Sequence, residues 1–280
     1  MNNVIFLALI ATLGTWFITA MGAATVVFFK KNNRKAMNLM LGFSAGVMIA
    51  ASFWSLLAPA IERAEMFLTL PPWFVAVSGF ALGGGFMCLC DRIVRRISRK
   101  TGISVEDEGE ELEAVACDER QRHGLSRALL LVISITLHNI PEGLAVGVAF
   151  GALGQNGYTP EALMGAISIA VGIGIQNFPE GAAVSVPLRR EGYSRKKCFL
   201  IGQATALVEP VSGVVGAAMV IHIQTMLPYA LAFAAGAMIL VAVHELIPQA
   251  QAGRKEGSFL YTMGILGGFA LMMVLDVALG

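Results

Sequence analysis

His138-Asn139-Ile140-Pro141-Glu142-Gly143 returns, with variation, as Gln176-Asn177-Phe178-Pro179-Glu180-Gly181. Extended to thirteen residues, HNIPEGLAVGVAF and QNFPEGAAVSVPL agree at seven positions. Each copy lies well inside an apolar run long enough to cross a bilayer. In each, a side chain with a nitrogen or amide oxygen stands four residues ahead of a glutamate, so both project from one helix face. The proline before each glutamate has no N–H for the carbonyl four residues back, which frees the oxygens of Leu137 and Ile175. Ionisable groups this deep in hydrocarbon are costly and mark functional positions. The two copies read as the halves of one divalent-metal site.

Composition supports a membrane setting. Of 280 residues, 56% are hydrophobic and 14% charged, where a soluble domain carries roughly a quarter charged residues. Mean hydropathy is +0.70. A net charge of +1 gives no reason to expect nucleic acid as a partner. Cys88, Cys90, Cys117 and Cys198 form no CxxC pair and read as free, small hydrophobic residues. Met1–Phe29 lacks a basic start and its apolar run is long enough to span, so a first transmembrane helix is expected there, not a cleaved signal.

Eight runs of spanning length follow one another: Val4–Phe29, Ala36–Ile61, Pro72–Cys90, Ala128–Leu153, Ala162–Leu188, Cys198–Ile221, Met226–Ala250 and Phe259–Leu279. The expected fold is therefore an all-α integral membrane protein with eight transmembrane helices. Lys30, Lys31, Arg34 and Lys35 follow the first span, and eight basic residues lie between Arg92 and Arg127. Arg189, Arg190, Arg195, Lys196 and Lys197 follow the fifth span, and Arg254 and Lys255 the seventh. Only Arg63 falls on the other side. The positive-inside rule then puts both termini outside and the odd-numbered loops in the cytoplasm. Residues 1–97 hold the first three spans and residues 125–280 the last five, all in one membrane domain. Between them, residues 98–124 form a loop whose acidic run, Glu106, Asp107, Glu108, Glu110, Glu111 and Glu113, predicts a solvated, disordered cytoplasmic linker, the alternative being a weak metal-binding tether with Cys117 and His123.

Inside the spans the charges are one-sided. Glu142, Glu180, Glu209, Glu245 and Asp276 are carboxylates, and none of the spans as bounded above contains a lysine or arginine. Desolvating an isolated carboxylate is expensive, so the counter-charge has to be protons or a cation from outside. Asp276 falls at the outer end of the last span and reads as interfacial. His138 offers an imidazole nitrogen, Glu142 and Glu180 carboxylates, and Gln176 an amide oxygen, while Asn139, Asn177 and Glu209 could supply a second, more oxygen-rich position alongside. Mixed nitrogen and oxygen ligands suit zinc and neighbouring first-row ions, where calcium or magnesium would prefer oxygen alone. Metal is expected as cargo, with no bound cofactor.

His138-Asn-x-Pro-Glu-Gly on the fourth span, Gln176-Asn-x-Pro-Glu-Gly on the fifth and Glu209-Pro210 on the sixth resemble the ZIP (Zrt/Irt-like) metal transporters, in particular a bacterial GufA-like branch. The resemblance covers the whole membrane portion. It implies a binuclear centre. His138, Glu142, Gln176 and Glu180 would line the first position, and Asn139, Asn177 and Glu209 would join the shared Glu142 and Glu180 at the second. It also implies that Met48 approaches the first position and that His244 and Glu245 stand near an inner exit. The function implied is import of Zn²⁺, with Fe²⁺, Mn²⁺, Co²⁺ or Cd²⁺ as further candidates, across the bacterial cytoplasmic membrane by an elevator-like movement. Some relatives have Asp or His where this chain has Asn177 and Gln176, so the centre here carries less negative charge.

Ala45-Gly46-Val47-Met48-Ile49 in the second span resembles Ala235-Gly236-Ala237-Met238-Ile239 in the seventh, as expected of an inverted repeat. Chance likeness among small apolar residues is the competing explanation. Gly83-Gly84-Gly85 and Gly267-Gly268 allow close helix contact and leave room for a homodimer. An enzyme is not expected: a membrane metallohydrolase would want an HExxH arrangement, and His138-x-x-x-Glu142 and His244-Glu245-Leu246-Ile247-Pro248 both lack it. A metal-gated channel or membrane metal sensor remains the alternative class. Orientation is checked by cysteine labelling in a background without the four native cysteines. A cysteine at Ser194 should react with an impermeant reagent only from the cytoplasmic face, and one at Thr69 only from outside.

Overall fold

The computed structural model describes residues 2–27, 34–100, 117–156, 159–190, 192–251 and 258–279. The acidic run Glu106–Glu113, the basic Lys30 and Lys31, and Arg254 and Lys255 lie outside the described residues, as do the side chains of Cys117 and His123.

Eight helices are long and apolar enough to cross a membrane: Asn3–Val27, Lys35–Phe67, Pro72–Arg96, Val132–Gly154, Pro160–Arg189, Arg195–Ile221, Leu227–Gln251 and Phe259–Ala278. Among the described residues there is no strand. The order and number match the apolar runs; the ends differ where polar turns continue a helix beyond hydrocarbon. The second span runs on to Phe67, and the helix carrying the fourth begins as early as Cys117. Both motif helices stay α-helical through Pro141 and Pro179, so the prolines remove hydrogen bonds without breaking the helix.

The helices pair by close backbone approach. Gly22 and Gly181 seat the first span on the fifth, where an added Cβ would run into Phe178 O or Thr19 O. Gly143 and Gly147 do the same for the fourth and sixth, against Glu209 and Gly213. Gly46 and Gly268 join the second to the eighth, and Gly83 and Gly236 the third to the seventh. Small residues allow such approach where no hydrophobic driving force separates helix from lipid. These seams make four pairs. Thr12 against Gly213 joins one–five to four–six, and the Ser52–Leu57 segment against the seventh span joins two–eight to three–seven. The result is two groups, spans one, four, five and six, and spans two, three, seven and eight. Each glycine whose Cβ would overlap backbone lies within one group. The groups meet through side chains, as at Gly172 beside Met272.

The inverted repeat is visible in local structure. The second span passes into a π-helical segment at Ser52–Leu57 and the seventh at Ala242–Leu246. Each begins seven residues after the first residue of the AGxMI stretch, Ala45 or Ala235. Exchanging span one with six, two with seven, three with eight and four with five also exchanges the glycine seams with one another. Two matching π segments in register go well beyond a chance likeness of small residues. Such segments insert a residue into the helix and re-aim the side chains beyond it. In the second span this presents Ser55, whose hydroxyl donates to Asp276 Oδ1 at 2.6 Å. Asp276 is thus turned inward to a neighbouring helix instead of standing as a free interfacial charge.

Of the cysteines with described side chains, Cys88 is exposed and Cys90 and Cys198 are buried, all unbridged. Cys198 packs with Val26, Val184 and Leu188, as a small hydrophobic residue would. The seams carry a prediction. Gly83→Val should cost about 1–3 kcal/mol by overpacking against Phe233, whereas Gly85→Ala, with open space around it, should gain roughly 0.5–1 kcal/mol. Thermal unfolding in detergent compares the two.

Candidate metal centre

The motif side chains meet near the middle of their spans and are almost wholly withdrawn from solvent. Glu142, Gln176, Asn177 and Glu209 are 0% exposed, Asn139 1%, Glu180 6% and His138 7%. The two motif helices run in opposite directions, so the repeated sequence brings the two glutamates in from opposite ends.

Gln176 Nε2 donates to Glu142 Oε1 at 2.9 Å. Asn177 Nδ2 donates to both oxygens of Glu209, at 2.9 and 3.0 Å. Glu209 stands in the first turn of the helix Val208–His222, which follows a 3-10 turn at Thr205–Leu207. Its second partner comes from the first span: the Thr15 hydroxyl donates to Glu209 Oε2, with the Thr12 carbonyl at 3.0 Å as its other acceptor.

His138 is turned from the glutamates of its own motif toward the other helix group, with Nε2 2.8 Å from Glu245 Oε1. Ser134 Oγ donates weakly to the other Glu245 oxygen at 3.4 Å. A small cavity is lined by His138, Glu180 and Glu245, with Gln249 beyond them. Ser44 in the second span donates to the Gln176 carbonyl at 2.8 Å, a further polar link between the groups.

Several buried polar atoms at the centre have no hydrogen-bond partner: Glu142 Oε2, Gln176 Oε1, Glu180 Oε1, Asn139 Nδ2 and Asn177 Oδ1. Buried polar groups are normally paired, and each exception calls for an explanation. Three of these atoms are acceptor oxygens on three of the four residues expected at the first metal position. Acceptor oxygens without donors, in a region without lysine or arginine, suit a cation. Among the described residues, no three His, Cys, Asp or Glu side chains are gathered tightly enough to enclose an ion. The expected ligands meet in pairs, amide to carboxylate and imidazole to carboxylate.

The remaining expected residues divide. Glu245 joins the centre through His138. His244 does not: it is 48% exposed on its side chain and stands 3.6 Å from Asp91 Oδ2 and 3.2 Å from Arg95 Nη2. The π segment Ala242–Leu246 separates the two, sending adjacent residues to different surroundings. Met48 is buried in the principal apolar core, one turn from Ser44. Sequence reasoning missed Thr15, Ser44, Asp91 and Arg95. Thr12, Thr15 and Thr19 recur at helical spacing in the first span, and that stripe was the available signal for Thr15.

Comparison with known proteins places the chain in a family. The family model described as "ZIP Zinc transporter" matches residues 3–276. The Xenopus tropicalis "Zinc transporter ZIP11" is 39% identical, over 98% of this chain and 97% of its own. "Zinc transporter GufA" of Myxococcus xanthus is 34% identical, over 97% of this chain and 98% of its own. "Zinc transporter ZIPB" of Bordetella bronchiseptica is 34% identical, over 94% of this chain and 78% of its own. With eight membrane-spanning helices, the paired motifs and a match over nearly its whole length, this chain belongs to the ZIP zinc transporter family.

Proposed function

We propose that the chain is a carrier that brings Zn²⁺, or a divalent ion of similar size and ligand preference, across the bacterial cytoplasmic membrane into the cytoplasm. The observation that carries this reading is the trio of unpartnered acceptor oxygens on Glu142, Gln176 and Glu180, buried mid-membrane with no lysine or arginine to answer them. Relatives named as zinc transporters share the family, and the mixed nitrogen and oxygen set suits zinc.

His138, Glu142, Gln176 and Glu180 bind the ion, and Asn139, Asn177 and Glu209 form the adjoining polar layer. Two carboxylates balance one divalent charge. Any protons they hold in its absence leave as the ion enters. His138 exchanges its contact with Glu245 for the ion. Glu245 and Gln249, which line the cavity beyond, then provide the next polar stop on the inner side, with His244 and Asp91 past it.

Both termini face outward in this reading, so the cavity at Glu245 opens toward the cytoplasm. Glycine seams lie inside the two helix groups, while the groups touch through side chains and a few polar links, Ser44 to Gln176 and both His138 and Ser134 to Glu245. That division favours one group moving as a unit against the other, carrying the glutamates with it. Exposed Trp73, Val77, Leu82, Phe259 and Val277 supply the apolar surface that lipid covers.

Uptake into proteoliposomes tests the reading. Zn²⁺ flux should saturate with concentration, and Glu142→Ala or Glu180→Ala should lower it at least tenfold while the purified variants remain monodisperse. Rapid unitary conductance would make the protein a channel, and binding without flux a sensor. Unchanged flux in both variants would remove the central motifs from the transport path.

A further inference from the structure

The three glutamates at the middle of the membrane are not held alike. Glu142 and Glu180 each keep one buried oxygen without a hydrogen-bond partner. Both oxygens of Glu209 are taken: Asn177 Nδ2 bridges them and the Thr15 hydroxyl donates to Oε2. Thr15, Asn177 and Glu209 are each 0–1% exposed and come from the first, fifth and sixth spans, all within one helix group. The Asn177 amide has to present its nitrogen here, because its oxygen would face the carboxylate oxygens; Oδ1 is left as its unpartnered atom.

Charge points the same way. One divalent ion between Glu142 and Glu180 is balanced by those two carboxylates. A second would bring two more positive charges against Glu209 alone, leaving one uncompensated in a low-dielectric interior, where such a charge is heavily penalised. An aspartate at position 177 would close that count. This chain has an asparagine, and its amide hydrogens fill the space on Glu209 where an ion would sit.

We infer, resting on the carrier reading above, that Glu209 is a structural strut held by Thr15 and Asn177 and not a metal ligand, so that the centre takes one divalent cation at a time. Thr15 and Asn177 are then positioning residues: they tie three helices of the moving group together at the level of the ion and leave Glu142 and Glu180 to bind it.

The full-length chain in nanodiscs, dialysed to equilibrium against Zn²⁺ and separately Cd²⁺, gives the number of ions bound per chain by metal analysis. One ion is expected in the native protein. Glu209→Gln should still bind one, with affinity within threefold, since a glutamine can accept from Asn177 and donate to Thr15. Glu142→Gln should weaken binding at least tenfold. Asn177→Asp should bind two, having lost the amide donor and gained the missing charge. Two ions in the native chain, loss of the ion in Glu209→Gln, or a monodisperse Asn177→Asp that still takes one would each overturn the strut. Should Asn177→Asp not fold, the native count and Glu209→Gln decide between them. A native chain that binds no ion sinks the carrier reading and the one-ion count with it. A single ion that survives both Glu142→Gln and Glu180→Gln overturns only its placement between those glutamates, and with that the inference.

Discussion

A carboxylate in the middle of a bilayer has to be answered by something, and in this protein the chain itself supplies hydrogen-bond donors but no neighbouring cation. Glu142 has the Gln176 amide, and Glu209 has Asn177 and Thr15. Glu245 has His138. These partners satisfy some oxygens and leave others bare. The bare ones are concentrated on Glu142, Gln176 and Glu180. The whole centre is therefore uneven, with satisfied polar groups on the side of the sixth span and unsatisfied acceptors between the fourth and fifth. That unevenness is the basis of the proposal that a cation binds there, between Glu142 and Glu180.

Holding such groups at that depth requires a tight scaffold, and glycine provides it. A helix can lie against the backbone of its neighbour only where a Cβ is missing. Gly143 sits directly on Glu209, and Gly181 on Thr19, one turn from Thr15. The same residues that close the helix pairs therefore also place the carboxylates and their donors. Among the described residues, no glycine seam of this kind joins the two helix groups. Side chains make the contacts there, and two of the polar ones reach the centre itself, at the His138 ring and at the Gln176 backbone carbonyl. The centre and the boundary between the groups thus share residues.

Much of the fold was legible because its signals are local. Apolar runs of spanning length mark the helices, and the repeated His/Gln-Asn-x-Pro-Glu-Gly motif marks the centre. The likeness of the AGxMI stretches in the second and seventh spans, by itself open to a chance explanation, gains weight from the π segments that come after each in register. Side-chain direction was not legible in the same way. His244 and Glu245 are adjacent in the chain, yet a π segment sends them to different partners. Asp276, placed at the interface by its position near a span end, is turned inward by Ser55. A change of helical type shows no clear trace in residue order, so neither outcome could be drawn from it.

The sequence by itself determined that the chain crosses the membrane eight times and carries several carboxylates there without a basic partner. It did so because hydrophobic length and charge are properties of short stretches. The tertiary structure decided which donor answers which carboxylate. Thr15 and Glu209 lie 194 positions apart, and Asn177 and Glu209 32 apart. Residues so distant choose each other only once glycine seams have brought their helices together. A hydroxyl in a first span carries no mark of the glutamate it will hold in the sixth.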